Sequence, residues 1–310
     1  MTSQQERSGL LFAALCALNG GLVPAFAKLT TERAAPLFVA TTTTLFAAVF
    51  AAVVLGVRGE LRLLVQPSTG PRLLAIGALG TGAAFVLFFT GASRVTAIET
   101  LLCLQIEPAY SLLVAWFCLG HRPTPRRVGA VAVLLLGITL AVGGHGVAPS
   151  VGVWFLLATP LCWQLSHLIV LRGLAGIPAS VLTGARYIDG GIVLLLCCAV
   201  SGGATLPRSA DLLHVLPLLA VQGVVLSYVG TWFWYQAIAR IDLARSTAIV
   251  VPSIPMLSLL ASFALLGEIP SMRQWLGLGL AAGGVFAFVT APRAGEPRAV
   301  AAAPIRAVTP

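Results

Sequence analysis

The chain has 310 residues, of which 58% are apolar and only 9% charged, with a mean hydropathy of +0.97. A water-facing globule carries about 25% charged residues, and a disordered chain needs low hydrophobicity with high charge, so both classes are excluded. The formal charge of +9 makes no nucleic-acid footprint, because eighteen of the nineteen cations are arginines spread singly or in pairs between apolar stretches.

Ten apolar stretches succeed one another, at roughly 9–29, 35–57, 73–92, 96–119, 127–144, 151–171, 178–200, 214–238, 243–266 and 273–291. Each is long enough to cross about 30 Å of hydrocarbon as a helix, and the alternation expected of barrel strands is absent. The expected fold is an all-α polytopic membrane protein of ten transmembrane helices, with residues 1–8 ahead of the first. The Ala-, Pro- and Arg-rich tail at 292–310 is expected to be disordered and cytoplasmic.

In the first stretch Ala25-Phe26-Ala27 resembles a signal-peptidase site. The apolar run before it is longer than a signal core and is interrupted by Asn19, Gly20, Gly21 and Pro24, so a retained helix is expected. Asn19 and its glycines either open this helix to a solute or let a neighbour pack closely. Residues 41–44 of the second stretch are all threonine. The glycines at 77–82 and 277–284 come after no strand and lack a phosphate-loop lysine, so they read as helix contacts.

The fourth stretch begins with Thr96-x-x-Glu99, a capping box, and carries Glu107 near its middle, with Pro108 and Tyr110 after it. An unpaired carboxylate in hydrocarbon is costly, so Glu107 is expected to be neutral, paired or facing water, which suits a substrate contact or a proton carrier. Trp163, Gln164 and His167 mark the sixth stretch. Arg186 and Asp189, three apart in the seventh, lie on one helix face and either neutralise each other or leave the arginine for a substrate. The eighth holds Tyr228, Trp232, Trp234, Tyr235 and Gln236, a set split between an interfacial belt and a pocket lining. The ninth comes after Asp242, a natural cap, and contains Pro252 and Pro255. A mid-helix proline removes one backbone hydrogen bond and displaces the carbonyl four residues back, so Pro108, Pro252 and Pro255 are candidate hinges.

An internal repeat is visible. Residues 88–94 (Phe-Phe-Thr-Gly-Ala-Ser-Arg) align with 234–240 (Trp-Tyr-Gln-Ala-Ile-Ala-Arg). Further along, Glu107-Pro108 meets Ile254-Pro255, Leu119-Gly120 meets Leu266-Gly267, and Pro123 meets Pro270. Pro36 and Pro178 open the second and seventh stretches, and Cys16 matches Cys162. The unit is five helices, over 9–144 and 151–291, and an odd number of crossings forces the second copy to enter from the opposite side. This inverted-repeat plan places a site between the halves near mid-membrane.

At these residues the chain resembles the EamA-type drug/metabolite transporters. The pattern is a mid-span Pro255 with leucines after it, then Leu266-Gly267-Glu268 and a last helix with Gly277, Gly283 and Gly284. The first copy reads Pro108, Leu119-Gly120-His121, then Gly129 and Gly137. His121 stands where the family has Glu, Gly20-Gly21 where it often has Trp-Gly, and residues 41–44 where many relatives place an arginine that the seventh span keeps as Arg186. The resemblance covers the chain to about residue 291.

The resemblance implies a secondary exporter of a small organic metabolite or drug-like solute, working by alternating access. Expected substrate contacts are Asn19, Glu107, Tyr110, Trp163, Gln164, His167, Arg186 and Tyr228, with Glu107 also the candidate for proton coupling. No cofactor or metal is expected, since the cysteines (Cys16, Cys103, Cys118, Cys162, Cys197 and Cys198) lack zinc-site spacing. Partners are the solute, the lipid bilayer and, under a coupled mechanism, protons, with a homodimer left open. The alternatives are an intramembrane enzyme or a receptor or scaffold. Against the enzyme, Asp189 is the only aspartate inside a span and no His-Glu-x-x-His motif occurs. Loop cations divide 13 against 5 in favour of the N-terminal side, which predicts both termini cytoplasmic, and the Arg-over-Lys, Ala-rich usage points to a bacterial inner membrane.

Overall fold

The computed structural model describes residues 3–120, 122–142, 150–174, 176–201, 207, 209–241 and 243–291. The readings placed on His121, Asp242 and the tail from Pro292 lie outside them. Ten long helices run in order: α1 (Ser3–Thr31), α2 (Pro36–Val57), α3 (Gly70–Ala92), α4 (Ala97–Phe117), α5 (Pro125–Val142), α6 (Val151–Gly173), α7 (Ala179–Val200), α8 (209–241), α9 (Leu243–Leu266) and α10 (Met272–Thr290). Nine of them are apolar enough to span a bilayer over their described length, and α9 contributes the apolar segment Ser253–Leu266. Among the described residues there is no strand.

Local chemistry sets the helix ends. Thr96 Oγ1 accepts from the Glu99 N–H at 3.1 Å while Glu99 Oε2 accepts from the Thr96 N–H at 3.0 Å, closing the capping box of α4. Ser271 and Gln274 close the same box at α10. The two Leu-Gly motifs also have a local cause. Gly120 and Gly267 sit at φ 73° and 66°, the left-handed region that ends a helix without a Cβ penalty.

The two five-helix repeats pack by a pseudo-two-fold exchange. The equivalent helices α2 and α7 pair, as do α5 and α10. The first helix of each repeat leaves its own copy: α1 packs on α8 and α9, and α6 packs on α3 and α4. The exchange reaches individual residues. Gly77 of α3 abuts Ala185, Asp189 and Gly190 of α7, and its equivalent Gly223 of α8 abuts Thr43, Phe46 and Ala47 of α2. Arg94 lies over the Phe155 ring at 5.4 Å beside Gly152, and Arg240 lies over Phe12 at 4.8 Å beside Gly9. In lipid there is little hydrophobic drive between helices, so such small-residue contacts carry the association.

The α5–α10 seam is equally intolerant of added bulk. A Cβ on Gly137 would stand 2.5 Å from Ala281 N and 2.6 Å from Gly277 O. Large apolar side chains such as Phe117, Leu196, Leu260 and Phe263 stay exposed on the outside of the bundle, where acyl chains rather than water are the solvent.

Three helices are irregular. α3 and α8 each contain a π-helical segment, Ala78–Ala83 and Val221–Val229, at overlapping repeat positions. α4 breaks after Leu104 and resumes at Glu107, with Gln105 and Ile106 in a tight turn directly before Pro108. Pro108 has no N–H to return to the Leu104 carbonyl, which accounts for the break. The equivalent α9 is continuous through Pro252 and Pro255, so the two copies differ here.

Candidate substrate cavity

A cavity of about 320 Å³ lies among α1, α6, α7, α8 and α9. Its polar lining is Asn19, His167, Arg186, Thr231 and Tyr235, with Cys16, Trp234 and Ile254 among the apolar walls. α1 is the first repeat's sole contribution, because it is the helix that crosses to the other copy. Arg186 is seven residues into α7, His167 six from the end of α6 and Tyr235 six from the end of α8. At 1.5 Å per residue these groups sit about 10 Å inside the face on which α1 begins.

The polar groups are held by the helix irregularities. Asn19 is buried and donates from Nδ2 to the Val225 carbonyl at 2.8 Å, inside the π segment of α8. Arg186 donates from Nη2 to the Gly80 carbonyl at 3.0 Å, inside the π segment of α3. A π turn leaves carbonyls out of the regular ladder, and each here has recruited a side chain from a neighbouring helix. Arg186 Nε is buried without an acceptor, and His167 is exposed to the cavity despite lying within the bundle. The guanidinium is within electrostatic reach of Glu107, His167 and Tyr235.

Of the expected substrate contacts, Asn19, His167 and Arg186 line this cavity. Glu107 and Gln164 pair with each other instead, Gln164 Nε2 donating to Glu107 Oε1 at 2.9 Å across α6 and α4. Trp163 is not in the lining, and its buried Nε1 has no partner. Tyr110 is also outside it. Tyr228 is buried against Tyr187 and Phe50 on the side facing α2 and α7. Tyr235, one of the aromatics of the same stretch, takes the cavity position. Arg186 and Asp189 form no ion pair: the arginine reaches across to α3, and Asp189 stands beside Gly77.

A further group emerges only from the fold. Glu268, the acid of the Leu-Gly-Glu motif, caps α4 from the other repeat, Oε1 accepting from the Ala97 N–H at 2.9 Å and Oε2 from the Ile98 N–H at 3.1 Å. Those N–H groups are the helix donors that the Thr96–Glu99 box leaves over. The contact ties the repeats at the face opposite the one nearest the cavity.

The model of the EamA-like transporter family matches this chain twice, over residues 7–143 and 150–290. The chain belongs to the EamA-like transporter family. One relative of this EamA-like protein is named "Probable terminal-alkyne amino-acid exporter", from Streptantibioticus cattleyicolor (strain ATCC 35852 / DSM 46488 / JCM 4925 / NBRC 14057 / NRRL 8057). It is 30% identical over 218 residues, covering 69% of this chain and 71% of the relative. A solved crystal structure superposes with a TM-score of 0.62 at 20% identity, covering 93% of this chain and 98% of its own, which shows a shared fold. The EamA-like transporter is thus a multi-pass membrane protein built from two inverted five-helix repeats.

Proposed function

We propose that this transporter exports a small zwitterionic or mildly amphipathic organic solute, of the amino-acid type, across the inner membrane by alternating access. Arg186 carries the reading: it is a fixed cation on a cavity wall within an apolar bundle, and its Nε has no protein acceptor. A solute carboxylate satisfies that donor, while the Glu107–Gln164 pair stands about one turn of α6 away from His167 as a second polar group close to the cavity. Such polar groups inside membrane spans are expensive unless they serve a pathway. The relative's name supports an amino-acid-like cargo.

Both termini are cytoplasmic in this reading, which places the cavity in the cytoplasmic half of the bundle, suited to loading for export. The α4 break before Pro108 is the hinge, Glu268 holds the far face shut, and Glu107 is the group that would bind a coupling proton. The test is uptake and counterflow in proteoliposomes over amino acids, nucleosides and cationic drugs, with and without a pH gradient. Zwitterions are expected to move, and Arg186→Gln is expected to cut their flux roughly 10- to 100-fold, the equivalent of one hydrogen bond to a charged group. Unchanged flux in a correctly inserted Arg186→Gln protein would refute the site.

A further inference from the structure

A second cavity, of about 430 Å³, lies outside the substrate site, between the beginning of α3 and the end of α6. Its lining is Pro71, Arg72, Ala75, Leu168, Ile169, Arg172 and Gly173. The two arginines are exposed, and there is no acidic side chain in the lining. Arg72 donates one hydrogen bond, from Nη1 to the Gly173 carbonyl at 3.3 Å, and Arg172 donates one, from Nη2 to the Cys118 carbonyl. A guanidinium has five donors in a planar fork, so most of each fork is left for another acceptor. Beneath the forks the wall is apolar and leads toward the hydrocarbon.

Depth and charge choose the occupant. Arg72 is the third residue of α3 and Arg172 the penultimate residue of α6, so both forks lie at the level of the headgroups. They lie on the arginine-rich face, where α1 begins. Paired cations above an apolar notch match a phosphate diester joined to an acyl chain, and basic pockets between helices on this side of a membrane bind such headgroups. A soluble anion would use the forks and leave Pro71, Ala75, Leu168 and Ile169 wet. We propose that this notch is a binding site for one anionic phospholipid. α6 is the second repeat's helix that crosses over to pack on α3 and α4, so the lipid sits on that crossing contact and tightens it.

The test uses the full-length protein, purified in detergent and offered phosphatidylglycerol and phosphatidylcholine of equal chain length, with bound lipid counted by native mass spectrometry. One phosphatidylglycerol is expected to be retained in preference to phosphatidylcholine by roughly thirtyfold, the effect of two interfacial cations. Arg72→Gln with Arg172→Gln is expected to abolish the preference. Ala75→Phe, which fills the notch and keeps both arginines, is expected to lose the lipid while eluting and melting as the parent does. Glycerol phosphate, the headgroup without chains, is expected neither to displace the lipid nor to raise the melting temperature. Equal retention of both lipids, a preference that survives Arg72→Gln with Arg172→Gln or survives Ala75→Phe, or full competition by glycerol phosphate would overturn the proposal.

Discussion

The carboxylate of Glu268 satisfies two backbone donors of α4 at 2.9 and 3.1 Å, from 171 and 170 residues away. Glu268→Ala removes both acceptors and a negative charge next to a helix N-terminus. Hydrogen bonds to a charged group contribute about 1.5–3 kcal/mol each, but water reaches this face and replaces part of them. A cap is worth about 1 kcal/mol and a charge in the first turn up to about 1, so the net loss expected is about 2 kcal/mol. Glu268→Gln keeps one acceptor and is expected to lose about half of that. The assay is amide exchange of a peptide covering residues 93–104, measured on the intact protein. A loss of about 2 kcal/mol raises exchange by roughly thirtyfold where opening is local. Destabilising this contact is also expected to enlarge the population open at the far face. Exchange and melting temperature both unchanged in Glu268→Ala would refute the reasoning.

Three further outcomes are expected. Gly137→Leu would drive a side chain into the backbone of α10 and is expected to destabilise the fold by about 3 kcal/mol or more, seen as aggregation or a large drop in melting temperature. Gln164→Leu removes the 2.9 Å bond to Glu107 and is expected to cost between about 0.6 kcal/mol, the average for hydrogen bonds between helices in membranes, and about 1.7 kcal/mol, the largest measured, read as a modest fall in melting temperature. Pro108→Ala restores the donor for Leu104 and is expected to straighten α4, raising thermal stability while slowing transport in proteoliposomes.

Much of the architecture is legible from residue order alone. Span length and hydropathy give ten helices, and the matched prolines and Leu-Gly pairs give the repeat, because bilayer thickness and left-handed glycine geometry are local constraints. Thr96 and Glu99 announce their cap for the same reason. The lining of the cavity is less accessible. Residue type does not separate Tyr228 from Tyr235, and regular helical phase fails between them, because Val221–Val229 is a π segment that rotates the residues after it. Arg186 and Asp189 have ion-pair spacing, yet the arginine finds a π-segment carbonyl on another helix. Glu268 stands in a recognisable motif, but its partner, the start of α4, is set by tertiary packing. Glu107 and Gln164 each stand out as polar groups in apolar spans, but their bond joins residues 57 apart.

The crossing-over of α1 has a consequence for how the protein is made. Asn19 bonds to a carbonyl 206 residues later in the chain. At about 5–20 residues per second, its polar side chain waits roughly 10–40 seconds in the bilayer before Val225 is synthesised. During that interval the first repeat offers α1 only its smaller contacts, with α2, α3 and α4, so the Asn19 side chain depends on lipid-edge water, the insertion machinery or a temporary helix contact for shelter. The larger part of α1's packing, on α8 and α9, is completed only after those helices have been made.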